Sequence, residues 1–157
     1  LYINILQFKR NNLKKYLILI EHLPGTMLCI ILMINFGDFS FFYCFLCLFF
    51  GWLIDIDHLF DYFVFKINEK KSFSFNEFLE CKYFSINNKI IIPLHTFEIS
   101  LIFLICWNFF DQINFFFIFL SFIFHLIHDQ VTNKVRLFSY FLTYRALNRF
   151  NIKKICK

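Results

Sequence analysis

The sequence predicts an all-α integral membrane protein with four transmembrane helices in two hairpins, both termini cytoplasmic, and an amphipathic helix near its C-terminus. Three observations predict it. The 157 residues are 59% hydrophobic and 24% aromatic, with Phe supplying 28, against about 45–50% apolar in a soluble domain. The apolar residues fall in four blocks. Every Lys and Arg lies outside the two short turns that join those blocks in pairs. Mean hydropathy is +0.61. This composition excludes disorder, collagen and a highly charged nucleic-acid binder, and argues against a small water-soluble enzyme. The excess of Phe, Ile, Asn and Lys fits an AT-rich coding sequence, so Phe serves here as a general apolar residue. The chain opens on Leu1, which leaves open preceding residues or an unusual start codon.

A membrane-spanning helix needs about 20 apolar residues, within a range of about 17–25. The first block covers about 17–36 and is interrupted by Glu21, His22, Pro24 and Gly25. The second is Phe39–Ile54 and reaches full length, 39–58, only by taking in Asp55-Ile56-Asp57-His58. The third covers 90–110, with Pro93, His95 and Glu98 inside it. The fourth, Ile113–Ile127, extends to 113–130 by including His128 and Asp129. Gly37-Asp38 and Asp111-Gln112 are tight turns, whereas residues 59–89 form a long polar connection. In that connection Asn68-Glu69-Lys70-Lys71 reads as a turn and Phe75–Phe84 as a short amphipathic helix, either a lid or a passive connector. Residues 136–150 read as an interfacial helix anchored by basic side chains. The whole chain, 1–157, reads as a single membrane domain.

The basic residues set the orientation. Lys9, Arg10, Lys14 and Lys15 precede the first block; Lys66, Lys70, Lys71, Lys82 and Lys89 lie in the middle segment; Lys134, Arg136, Arg145, Arg149, Lys153, Lys154 and Lys157 follow the last. The positive-inside rule therefore places both termini and the 59–89 connection in the cytoplasm. Block one lacks a small-residue cleavage site, so a cleaved signal peptide is not expected.

All five histidines then fall at the cytoplasmic ends of the spans, each near a carboxylate. Glu21-His22 opens span one, Asp55, Asp57 and His58 close span two, His95 and Glu98 open span three, and His125, His128 and Asp129 close span four. On continuous helices His95 and Glu98 share a face, as do Asp55 and His58, and His125 with His128 and Asp129. Asp57 points elsewhere unless the helix frays. Singly, each of these is an ordinary helix-end or hydrogen-bonded residue; together they suit Zn, Mn or Fe, one ion or two. His22, Asp55, His58, His95, His125 and Asp129 are the candidate ligands. Asp57, Glu98 and His128 are candidates for a general base or for supporting groups. Gln130 and Asn133 are supporting groups or a helix end. Arg136 and Arg145 are candidates for holding a substrate phosphate. Cys44 and Cys47 form a C-x-x-C spacing inside an apolar run. They read as packing residues rather than as a redox or zinc pair.

D-x-D-H after an apolar helix, a histidine opening the next span, and H-x-x-x-D closing the last resemble the LexA-regulated, inner-membrane metal-dependent hydrolases (the YdjM-like family). The resemblance covers His22 to Arg149. It implies a shared polar set of Asp55, Asp57, His58, His95, His125 and Asp129, with His22 matching an early histidine. Better-known members carry Arg-Gly before a Thr-His-Ser motif, where this chain has Ile92-Pro93-Leu94-His95-Thr96-Phe97-Glu98. That departure puts the substrate in doubt more than the metal.

The resulting expectation is metal-assisted hydrolysis of a lipid or lipid-linked phosphate or ester at the cytoplasmic face. Membrane lipid and an amphiphilic substrate are the partners, nucleic acid is not, and the oligomeric state is open. The rival readings are a metal or proton transporter, a haem protein, and a non-catalytic membrane scaffold.

Overall fold

The computed structural model describes residues 20–70, 72–79, 81, 83–133 and 135–156. Lys9, Arg10, Lys14 and Lys15, the first residues of the first expected span (17–19), and Lys71, Lys82, Lys134 and Lys157 lie outside the described residues. Among the described residues the chain is all-α. It comprises α1 Leu23–Phe36, α2 Phe41–Gly51, a 3-10 helix Leu53–Asp57, α3 His58–Glu69, α4 Phe75–Leu79, α5 Tyr83–Asn87, α6 Phe97–Phe110, α7 Ile113–Thr132, α8 Leu142–Leu147 and α9 Ile152–Ile155. Two isolated bridges, Lys89 to Asn151 and Val135 to Cys156, are the β-type pairings found among them.

The four apolar helices form two hairpins, α1 with α2 and α6 with α7, and α7 lies between the others in contact with all three. Asn114 Nδ2 donates to Asp38 O at 2.8 Å, tying the start of α7 to the α1–α2 turn. The packing around Gly51 is tight. A Cβ there would collide with the side chains of Ser121 and Thr26, so the absent side chain lets α2, α7 and α1 converge at one point. Cys29, Met33, Cys47, Phe117 and Ile118 form the core on one side of that point, and Ile54, Ile92, Phe122, Leu126 and Tyr140 form it on the other.

α1, α2 and α6 are shorter than the blocks that predict them, whereas α7 covers the whole of the fourth and ends two residues beyond it. Among the described residues only α7, at 20 residues, is long and apolar enough to cross a bilayer by itself. α2 and the segment Leu53–Glu69 pass that test together but are bent by 61°. The break falls at Trp52, whose backbone leaves the helical region (φ −134°, ψ −50°). α1 starts only at Leu23, after a turn at residues 20–22, with Pro24 in its first turn. That is where proline is tolerated, because the amide it lacks has no helical partner. α6 starts at Phe97, capped by Thr96 Oγ1 accepting from Ile99 N at 3.3 Å. Residues 90–96, expected inside a helical span, are irregular, with Ile92 at φ 30° and Pro93 following it.

The 59–89 connection is more helical than its polarity suggests, since α3 occupies most of its first half. Phe75–Phe84 is two short helices rather than one, separated by a turn in which Cys81 is left-handed (φ 52°). Lys66 pairs with Glu77 across this segment. The tail likewise departs from a continuous 136–150 helix: residues 137–140 are turns and α8 has six residues. Many large apolar side chains are nevertheless exposed on the long helices, among them Phe36, Phe41, Phe45, Ile102, Phe109 and Phe110.

Candidate metal centre

The break at Trp52 and the irregular segment 90–96 bring four groups together. Asp55 comes from the 3-10 helix, His95 from the irregular segment, and His125 and Asp129 from successive turns of α7. Each offers one ligand atom, and these atoms all lie within 4.8 Å of one another. His95 Nε2 is 3.0 Å from His125 Nε2 and 3.1 Å from Asp55 Oδ1. Asp55 Oδ1 is 3.5 Å from His125 Nε2, and Asp129 Oδ2 lies 3.6 Å and 3.8 Å from the Nε2 atoms of His125 and His95.

The remaining ring nitrogens decide what these distances mean. His125 Nδ1 is 3.1 Å from Gly51 O, which only accepts, so the proton sits on Nδ1. His95 Nδ1 is 2.7 Å from Asp57 Oδ1, an ion-pair distance without hydrogen-bond alignment, and an anionic oxygen that close favours a proton there. With its proton on Nδ1 alone, each ring would turn an Nε2 lone pair into the cluster, in the manner of metal-bound histidines whose other nitrogen is held by a carboxylate or carbonyl. Two lone pairs and two carboxylate oxygens at these separations repel unless a proton on His95 Nε2 or a metal cation lies among them. A tetrahedral ion with bonds of about 2.0–2.1 Å places its ligands about 3.3 Å apart, close to the spacings here.

Asp57 thus holds His95, and its other oxygen accepts from Leu94 N at 2.9 Å and His95 N at 3.1 Å. The fraying that would bring it inward occurs as the 3-10 helix. Asp61 takes Ile91 N at 3.0 Å and Ile92 N at 2.8 Å. Arg145 completes the bracket: it donates to Ile91 O at 2.7 Å, Ile92 O at 2.9 Å and His95 O at 2.6 Å. A buried, non-helical backbone must find partners for its polar groups, and three charged side chains supply them.

Arg145 is accordingly fully buried rather than a lipid anchor or a phosphate ligand. The sequence pattern marked its charge but not its target. Asp61 was missed altogether, and the available signal was a lone Asp one turn after Asp57, facing a Pro-containing segment. Arg136 is exposed, with Nε donating to Cys156 O at 3.3 Å. Comparison with family models, curated proteins and solved structures finds no match for this chain.

The other expected site residues divide into three. Glu98 does not join His95: its carboxylate accepts from Leu142 N and Thr143 N at 3.0 Å and from Thr143 Oγ1 at 2.9 Å, capping α8. The three-residue spacing fails because His95 precedes the helix on which Glu98 lies. His58 Nε2 is 3.7 Å from Asp55 Oδ1, and its ring meets that of His95 edge-on. His58 also lines a largely apolar cavity of about 290 Å³ with Phe84, Ile90, Ile92 and Tyr140. His22 and His128 lie on the opposite flank, beside Asp129 and Glu21. Asn133 Nδ2 donates to Tyr140 Oη at 3.2 Å, and Tyr140 Oη reaches Asp129 Oδ2 at 3.5 Å. Gln130 serves the helix end, donating to Arg136 O. All six cysteines are free, and Cys47 packs in the core.

Proposed function

We propose that this chain is a membrane-embedded, metal-dependent hydrolase acting on a lipid or lipid-linked phosphate or ester at the cytoplasmic membrane face. The convergence of His95 and His125 Nε2 at 3.0 Å, each ring held through its other nitrogen, carries the reading. Zn, Mn or Fe suits two imidazoles and two carboxylates. The resemblance to the inner-membrane metal-dependent hydrolases points to the same chemistry.

Membrane placement is supported by the apolar length of α7, by the bent α2 pair, and by the exposed apolar belt. The restriction of Lys and Arg to the termini and the 59–89 connection supports a four-span topology with those segments cytoplasmic. The apolar plug of Cys29, Met33, Cys47, Phe117 and Ile118 fills the bundle beyond the site, which favours an enzyme over a conduit.

A bound divalent ion lowers the pKa of water and polarises the scissile group. Asp55, its side chain 30% exposed against 0% for both His95 and His125, forms the open edge through which water and substrate enter. The cavity beside it receives an apolar part of the substrate. His58 stands between cavity and cluster, where it can hand a proton to the leaving oxygen. Arg136, hydrogen-bonded to the cavity-lining Cys156, is placed to meet a phosphate at the rim.

The test is metal content of detergent-purified protein, prepared without a metal-affinity step, beside an equally monodisperse His125→Ala, Asp129→Ala variant. Stoichiometric metal in the wild type, lost in the variant, is expected, followed by metal-dependent release of phosphate or fatty acid from phospholipid vesicles. Absence of metal from both after reconstitution overturns the metal reading. Bound metal without turnover on any lipid phosphate or ester overturns the hydrolase reading.

A further inference from the structure

We propose that a second metal ion binds beside the first, held by Glu21, His22 and His128, with Asp129 bridging the two ions. The inference rests on the metal reading of the first group. Asp129 divides its carboxylate: Oδ2 faces His125 and His95 at 3.6 Å and 3.8 Å, while Oδ1 faces His22 Nε2 at 3.2 Å. Glu21, His22 and His128 each offer a ligand atom within 4.8 Å of the others. The His22 ring stacks on that of His125 with centroids 3.8 Å apart, and meets the His128 ring edge-on at 4.7 Å.

Two observations point to a ligand rather than a packing cluster. His128 Nδ1 is buried and has no hydrogen-bond partner, which costs about 1–3 kcal/mol for an ordinary polar group. The His22 side chain is 3% exposed, and its Nε2 faces two carboxylates, Asp129 and Glu21 at 3.9 Å. A third group, Asp57, His58 and His95, also has ligand spacing. It shares His95 with the first site, and His95 Nδ1 is already engaged by Asp57. The flank with His22 shares only a carboxylate, the group best suited to bridge because it has an oxygen for each ion. Two ions so bridged clamp the attacking and the leaving oxygen of a phosphoryl or acyl transfer.

The experiment loads the full chain with Mn²⁺ in detergent, then compares wild type with Glu21→Gln and His128→Gln. Metal content and the electron paramagnetic resonance spectrum are read. Two Mn²⁺ per chain with an exchange-coupled signal are expected in the wild type. Each variant should hold about one ion and show an uncoupled signal. Glu21 lies on an exposed turn, so its variant keeps the test valid if His128→Gln does not fold. One uncoupled ion in all three proteins overturns the second site and leaves the first intact. Two ions in all three also overturn it, because the second ion then lies elsewhere. No bound ion in any of them removes both readings.

Discussion

Asp55 and Asp57 differ by two positions and by function. Asp55 presents an oxygen to two histidines, whereas Asp57 grips the far side of one of them and two backbone amides. Asp57→Asn should therefore leave all four proposed ligands of the first site in place yet weaken metal binding about 10–100-fold. Competition with a chelator of known affinity measures this, and an unchanged affinity would show that His95 needs no holder. Asp55→Asn should reduce bound metal outright. The histidines and aspartates that gather were visible because such residues are rare in apolar blocks, whereas Glu98, marked by the same pattern, caps α8 instead. It could not separate ligand from holder, because that depends on which oxygen faces which ring nitrogen. Arg145 shows the same limit: an arginine in an aromatic tail reads as an anchor until its carbonyl partners are known.

Breaks matter as much as helices at the scale of elements. Continuous helices through residues 52 and 95 would carry Asp57 away from His95 and put Glu98 beside it. Gly51 sits at the first break, where α1 and α7 press against α2 and its carbonyl fixes His125. Gly51→Ala should cost about 1–3 kcal/mol through overpacking and lower metal occupancy along with thermal stability. A variant with full stability and full metal would remove Gly51 from the account. Arg145→Met leaves three buried carbonyls of the 90–96 segment without their cation. It should destabilise by about 3 kcal/mol or more, given hydrogen bonds to charged groups at about 1.5–3 kcal/mol each, as read from denaturant unfolding in detergent. Helix existence was legible from apolar blocks and from turn residues such as Gly37-Asp38. The starts of α1 and α6 were marked by Pro24 and Pro93, but a hydropathy block counts a proline as an interruption when it is also a boundary. The Trp52 break carries no sequence punctuation beyond the neighbouring Gly51, so a straight extension to His58 was the natural expectation.

Among the described residues of the molecule, His22, Asp57, Asp61, His95, His125, Asp129 and Arg145 are buried while much of the phenylalanine is exposed. The proposed topology puts Asp38 and Asp111 on one side of a bilayer and the 59–89 connection on the other. In a Cys81→Ser background, Asp38→Cys and Asp111→Cys should react with an impermeant maleimide in intact cells, and Asn68→Cys only after permeabilisation. Labelling of Asn68→Cys in intact cells would reverse or abolish the proposed topology. At a rise of about 1.5 Å per residue, the 14-residue α1 and α6 span about 21 Å, short of a hydrocarbon core of about 30 Å. A bilayer would accommodate them by thinning around the site. That distortion brings aqueous phase and lipid headgroups towards Asp55.

The bracket formed by Asp61, Asp57 and Arg145 also imposes an order in time. Both aspartates emerge from the ribosome before the segment they hold, but the arginine that closes the bracket emerges well after it, and after every proposed ligand. The nascent chain can therefore insert its helices and carry all its histidines without a finished centre. On the proposed metal reading, metal capture would then be the last event of biogenesis, following docking of the tail. A chain ended at Asn133 should insert stably yet bind no ion, and wild-type metal content in that chain would remove the tail from the account.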